Sequence, residues 1–316
     1  QVGDADDGIV FRLDAVNEAR ADQLLALGDE LFHQSPGSDV ASPGARWLLH
    51  ALPGARPAVR EADPDNGWSF PDGGYLVFGC AFGQPHEIKG LLDCGPLGYL
   101  GIAAHGHADA LALTLSVAGE PCLVDAGTYS YWQEPKWRDY FRGTSAHNTL
   151  RVDGLDQSVS GGRFMWLRQA RTTIERMPQS PGDFDFRGSH DGYRRLADPA
   201  RHVRSVRFDA ASKTLVVRDE LAARKPHLLE QFWHFAPDMA LSLTSSGLQV
   251  RGRAFVMLLQ ISGADLSLEL VRASENPPLG WISRTYESKQ PAEVLKITTK
   301  SSAVAVECRI TISFSH

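Results

Sequence analysis

Residues Ala104–Ser158 read AHGHADALALTLSVAGEPCLVDAGTYSYWQEPKWRDYFRGTSAHNTLRVDGLDQS. Within them Leu111, Leu113, Leu115 and Val117 alternate with small or polar residues. That is the period of a strand with one buried face. The turn Ala118–Pro121 leads to a second apolar run, Cys122-Leu-Val, which ends at Asp125. Period two governs the chain from Trp68 onward. Tyr75-Leu-Val-Phe78 opens the β region, and strands are expected around 110–117, 122–125, 149–152, 203–209, 214–219, 228–236, 241–245, 255–262, 266–272 and 303–314. Many strands with short turns and no alternating helices predict a mostly β chain, a large antiparallel β-sandwich.

The first sixty residues read differently. Asp14 is placed to cap a helix reaching about His33, with Leu24, Leu27 and Leu31 on one face and Leu25 and Phe32 widening it. After the breaker SPGSDVASPG, ARWLLHAL predicts a short second helix. Two such helices cannot enclose a sizeable core. Residues 1–60 are therefore expected to be a helical segment that ends a larger helical unit, and residues 61–316 the sandwich domain. The chain opens on QVGDADDG, and no charged-then-apolar leader is visible, so it is expected to be the C-terminal portion of a longer protein. The stretch GDADDG, Gly3 to Gly8, lacks the ligand spacing of a calcium loop and reads as a turn.

Composition narrows the function classes. The 316 residues are 43% hydrophobic and 22% charged, enough for one large domain or two ordinary ones. No apolar run reaches the roughly 20 residues that span a bilayer. A net charge of −6 argues against a general nucleic-acid binder. Arg138–Arg207 nevertheless holds thirteen arginines against eight acids, a local basic region suited to an anionic ligand. The four cysteines include no CxxC pair, so a cysteine zinc site is not expected, and Cys122 reads as a buried thiol.

The opening stretch also concentrates chemistry. His105 and His107 flank Gly106 and share a face if the chain is extended there. Asp125 ends a strand, and His147 precedes another. Two histidines and one carboxylate, His107, Asp125 and His147, suit zinc with a fourth position open to water or substrate. A straight hairpin would put Asp125 opposite Thr114, however, and leave His107 about 23 Å further along. The zinc reading thus requires the chain to bend between His105 and Ala110, or a different register at Asp125. An iron oxygenase is a further reading. It wants a Glu soon after the His-x-His pair, whereas Asp109 is the nearest acid and the next Glu is Glu120. His190, His202 and His234 sit in strand or turn context and are expected to be structural.

HGHADALALTLSVAGEPCLVDAGTY and RDYFRGTSAHNTLRVDGLDQS together closely resemble the C-terminal β-sandwich portion of heparinase II/III-type polysaccharide lyases. GPLGYLGIAAH and HDGYRRL strengthen the resemblance, which covers most of the chain. It implies a large sandwich following an (α/α) toroid, and β-elimination at a uronate residue of an acidic polysaccharide or oligosaccharide. It implies that His107, Asp125 and His147 are zinc ligands with a structural role, and that His105 and Tyr140 are catalytic. Arg138, Arg142 and Asn148 are candidate contacts for substrate oxygens, since arginine pairs bidentately with carboxylates and sulfates. The toroid supplies further catalytic groups in the family, so the partner expected for this chain is that N-terminal toroid domain. A periplasmic or secreted location follows from such a substrate. The alternative is a non-catalytic carbohydrate-binding sandwich with a structural zinc, using Trp132, Trp137 and Trp166 as platforms.

Overall fold

The computed structural model describes residues 68–315, apart from 71, 100, 178–182 and 303–304. The two expected helices, the segment 1–60 as a whole and the Gly3–Gly8 turn lie outside the described residues. Among the described residues the major strands form sheets of five, eight and four, paired antiparallel throughout.

The five-stranded sheet runs in chain order from Trp68–Phe70 through Tyr75–Cys80, Ile88–Asp93 and Leu113–Val117 to Glu120–Leu123. The four-stranded sheet places His227–His234 between Leu150–Val152 and Glu293–Ser301. Leu123 bridges Phe235, with Val124 N–H donating to His234 O at 2.9 Å and Ala236 N–H to Cys122 O at 3.0 Å. These two sheets therefore continue into one another. The eight-stranded sheet packs against them through one continuous core, which holds Phe78 and Leu92 from the first, Leu229 and Trp233 from the second, and Val206, Phe208 and Val217 from the large sheet. Phe78 stacks on Phe184 at 4.7 Å, which ties the layers together.

Alternation dictates this arrangement. Leu113, Leu115 and Val117 are buried while Thr114 and Ser116 are partly exposed, as the sequence pattern requires. Three strands the sequence reading did not name appear at Ile88–Asp93, Asp183–His190 and Glu293–Ser301. A short helix, Pro135–Phe141, was likewise not anticipated; proline in its first turn suits a helix start. All four cysteines are free, and Cys122 is buried. No helix among the described residues is long and apolar enough to cross a membrane.

Candidate active site

The bend that the zinc reading required is present. Leu111 N–H donates to Asp93 O at 2.8 Å and Asp93 N–H to Ala112 O at 2.9 Å, closing the loop between two neighbouring strands. Ala103, His105 and Leu111 take left-handed φ values of 52°, 60° and 63°, which turn the chain back on itself. The ladder between Leu113–Val117 and Glu120–Leu123 also shifts register between Leu115 and Ser116. Asp125 leaves that ladder directly into a tight turn. Its Oδ1 accepts the Gly127 N–H at 2.9 Å. Gly127 has φ 83°, and a Cβ there would meet Ser283 O at 2.1 Å, so only glycine fits. His147 follows the 3₁₀ turn Thr144–Ala146 in extended conformation, one residue before Asn148.

These loops bring the histidines and carboxylates together. His147 Nδ1 lies 2.5 Å from Asp125 Oδ2, and the His107 and His147 rings are 5.2 Å apart. Ligand atoms of His107, Asp109 and His147 all fall within 4.8 Å of one another. His147 Nε2 is buried with no hydrogen-bond partner among the described residues. Burial alone would lower the His147 imidazole, but the Asp125 carboxylate outweighs it and raises the group to about 9. Asp125 is opposed by burial too, yet the His147 charge holds it down at about 2. Burial, assisted by neighbouring carboxylates, pushes Asp93 up to about 6 and Asp109 well above the usual range. Crowded, desolvated carboxylates beside two imidazoles favour a divalent cation, and the nitrogen and oxygen donors match zinc. The residues therefore fit the metal that the family resemblance implies.

A cavity of about 240 Å³ opens beside this cluster. Its walls include Tyr75, Asp93, His105, His107, Asp109 and Gln157. His105 is exposed, and its ring lies edge-on to Tyr131 at 6.3 Å. The other candidates are placed differently. Tyr140 is buried among Trp137 and Phe141, its hydroxyl donating to Trp281 O at 3.4 Å, and burial raises its phenol. Arg138 is 2% exposed, donates from Nε and Nη2 to Arg163 O, and lies over the Tyr131 ring. Arg142 is 1% exposed, lies over the Trp166 ring and donates to Ser160 Oγ. Asn148 is buried and holds backbone groups of Leu113, Val124 and His234. The expectation that Arg138, Arg142 and Asn148 meet substrate oxygens is thus corrected in one respect: all three are buried against protein partners and serve the packing of the site. HDGYRRL, read as a cleft lining, instead buries His190 and Tyr193, and Tyr193 donates to Leu150 O at 3.1 Å.

Sequence reasoning passed over Asp93, Asp109, Tyr75 and Gln157. Asp109 had a signal in its spacing, since His107 and Asp109 stand two apart like His105 and His107. Asp93 and Gln157 had none, because long-range pairing alone carries them to the cavity.

The family model of the heparinase II/III-like C-terminal domain matches residues 62–313. No curated protein sequence matches the chain. Among solved structures, a heparinase III gene product superposes with a TM-score of 0.63 at 18% identity, covering 86% of this chain and 38% of its own length. A mutant of heparan sulfate lyase HepC from Pedobacter heparinus gives 0.65 at 16% identity, covering 81% and 38%. A further heparinase III structure gives 0.65 at 14%, covering 80% and 37%. The chain thus spans under two fifths of the length of these structures, and at such identities the likeness concerns the fold.

Proposed function

Because the chain belongs to the heparinase II/III-like family through its C-terminal domain, we propose that it is the β-sandwich part of a lyase acting on a uronate-containing polysaccharide by β-elimination. The observation that carries this reading is the cavity shared by exposed His105 and buried His107, directly beside the His147 cluster. The reaction removes the proton at C5 of the uronate, breaks the bond from C4 to the glycosidic oxygen and leaves a C4–C5 double bond. Negative charge builds on the uronate carboxylate during proton removal, so donors must face it. His105 is the residue of this chain placed to exchange a proton with substrate, as a neutral imidazole can. Tyr140, buried behind the site, would act by supporting the Asp125 turn.

His107, Asp125 and His147 would hold a zinc ion, with Asp109 filling the fourth position of a closed, structural set. Zinc there would cross-link the loops that present His105, and elimination consumes no water that it would need to activate. The remaining catalytic groups are proposed to come from the toroid domain of the longer protein, and the setting to be periplasmic or secreted.

The test offers alginate, heparan, hyaluronan and bacterial exopolysaccharides to the full-length protein and to the 316-residue chain, following the ultraviolet absorbance of the unsaturated product. The full-length protein should turn over one of them, and the isolated chain should be nearly inactive. His105→Ala in the full-length protein should lower the rate by about 10²–10⁴-fold with zinc content unchanged, whereas Tyr140→Phe should lower stability more than rate. Equal activity of chain and full-length protein would sink the split site. A second reading, carbohydrate binding without cleavage, is favoured by one observation: Trp132 is 65% exposed, with Arg163 over its ring and Phe164 5.5 Å away. Binding without unsaturated product under any condition would select it.

A further inference from the structure

We propose that Arg204 and Asn148 are positioning residues, which set the three metal-bearing loops from inside the sandwich. The proposal rests on the metal reading above. Arg204 lies on the large-sheet strand Arg201–Asp209 and is fully buried. Its Nε and Nη2 each meet one oxygen of Asp219 at 2.7 Å. Its Nη1 crosses to the other layer and donates to Leu111 O at 2.7 Å and Asn148 O at 2.6 Å. Asn148 continues the clamp. Its Nδ2 donates to Leu113 O at 2.8 Å and Val124 O at 3.0 Å, and its Oδ1 accepts the His234 N–H at 2.6 Å.

Every one of these attachment points except His234 adjoins a metal-set residue. Leu111 is two residues after Asp109, Val124 one before Asp125, and Asn148 one after His147. Two side chains thus hold the backbone beside three loops whose own conformations include left-handed residues. Asp219 is itself braced by His202 Nε2 at 2.7 Å and Gln231 Nε2 at 2.5 Å, so the fork is fixed from behind. A guanidinium is required because its planar donors grip a carboxylate and two carbonyls at once, which an ammonium on a flexible stem cannot do. A buried ion pair is weak grounds for stability, so the geometry toward the loops better accounts for this one. Residues that orient metal ligands without touching the metal typically change affinity by about 10–100-fold when replaced.

The experiment titrates zinc into chelator-treated full-chain protein, comparing wild type with Arg204→Lys and Asn148→Ser. Arg187→Lys is the control, since Arg187 on the same sheet pairs with Glu175 and Glu220 away from the loops. Nitrogen NMR of the His147 ring in the zinc-free protein gives a second readout of its Asp125 hydrogen bond. Both clamp variants should bind zinc about 10–100-fold more weakly and shift the His147 signals, with the control unchanged. Folded clamp variants that bind zinc like wild type would overturn the proposal, as would an equal loss in the control. If Arg204→Lys fails to fold, Asn148→Ser decides. If wild type binds no zinc, the metal reading fails separately. The His147 signals then judge the clamp, and unchanged signals in both variants defeat it.

Discussion

At the residue scale, His227 is the clearest titrating staple outside the candidate site. Its Nδ1 meets Asp153 Oδ2 at 2.6 Å and its Nε2 meets Asp198 Oδ2 at 3.2 Å. Burial lowers this imidazole, but the hydrogen bonds to Asp153 and Asp198 outweigh it and leave the group raised above 6.5. Asp198 is lowered, first by the Lys225 N–H and, against burial, by His227. A raised imidazole contributes stability that is complete below its unfolded value and is lost as pH rises through the folded one. A lowered carboxylate contributes stability that is lost as pH falls through its folded value. The staple is therefore strongest in mildly acidic solution. The melting temperature of wild type should fall from about pH 6 to about pH 9 partly through His227. His227→Gln should flatten that slope, and thermal melts across pH with both proteins check it; parallel profiles would remove His227 from the account.

At the element scale, the strand Leu113–Val117 shows how pattern becomes energy. Leu115 is 2% exposed in the shared core, while Ser116 faces outward and donates to Lys89 O at 3.3 Å. Leu115→Ala should cost about 2–5 kcal/mol through lost burial and a residual cavity, whereas Ser116→Ala should stay within about 0.5 kcal/mol. Denaturant midpoints of the two variants test this, and a comparable loss from both would mean the strand's faces are misassigned. The arginine-rich middle also takes its meaning here. Arg151 meets Glu230, Arg176 meets Asp185, and Arg187 meets Glu175 and Glu220. Much of what reads as a basic patch in sequence is spent on cross-strand pairs, which stabilise a sheet by tenths of a kcal/mol each.

At the scale of the whole molecule, two joined sheets face a third across one core, and the candidate site lies where loops of the joined sheets meet. A zinc ion held by residues of three loops would stabilise the folded state by mass action, about 2.7 kcal/mol at a hundredfold excess over Kd. For a domain of this size that corresponds to roughly 5–10 °C in melting temperature. Chelation of zinc-loaded protein should lower the melt by that amount, and His107→Ala or His147→Ala should abolish both the zinc and the shift. Metal content unchanged in both variants would place the ion elsewhere.

The sequence by itself determined the class of the fold, because side-chain alternation is local and survives any arrangement of the sheets. It also singled out His105, His107, Asp125 and His147, whose residue types and family resemblance are written in one stretch. Only the tertiary structure decided how they meet. The turn at Leu111, with φ 63°, and the slipped register before Asp125 bring together residues that a straight hairpin would hold far apart. It alone added Asp93 and Asp109, and it alone turned Arg138, Arg142, Asn148 and Tyr140 inward. Loop side chains take their direction from hydrogen bonds to partners distant in the chain, such as Arg204 to Leu111 and Asn148, and no local period records those partners.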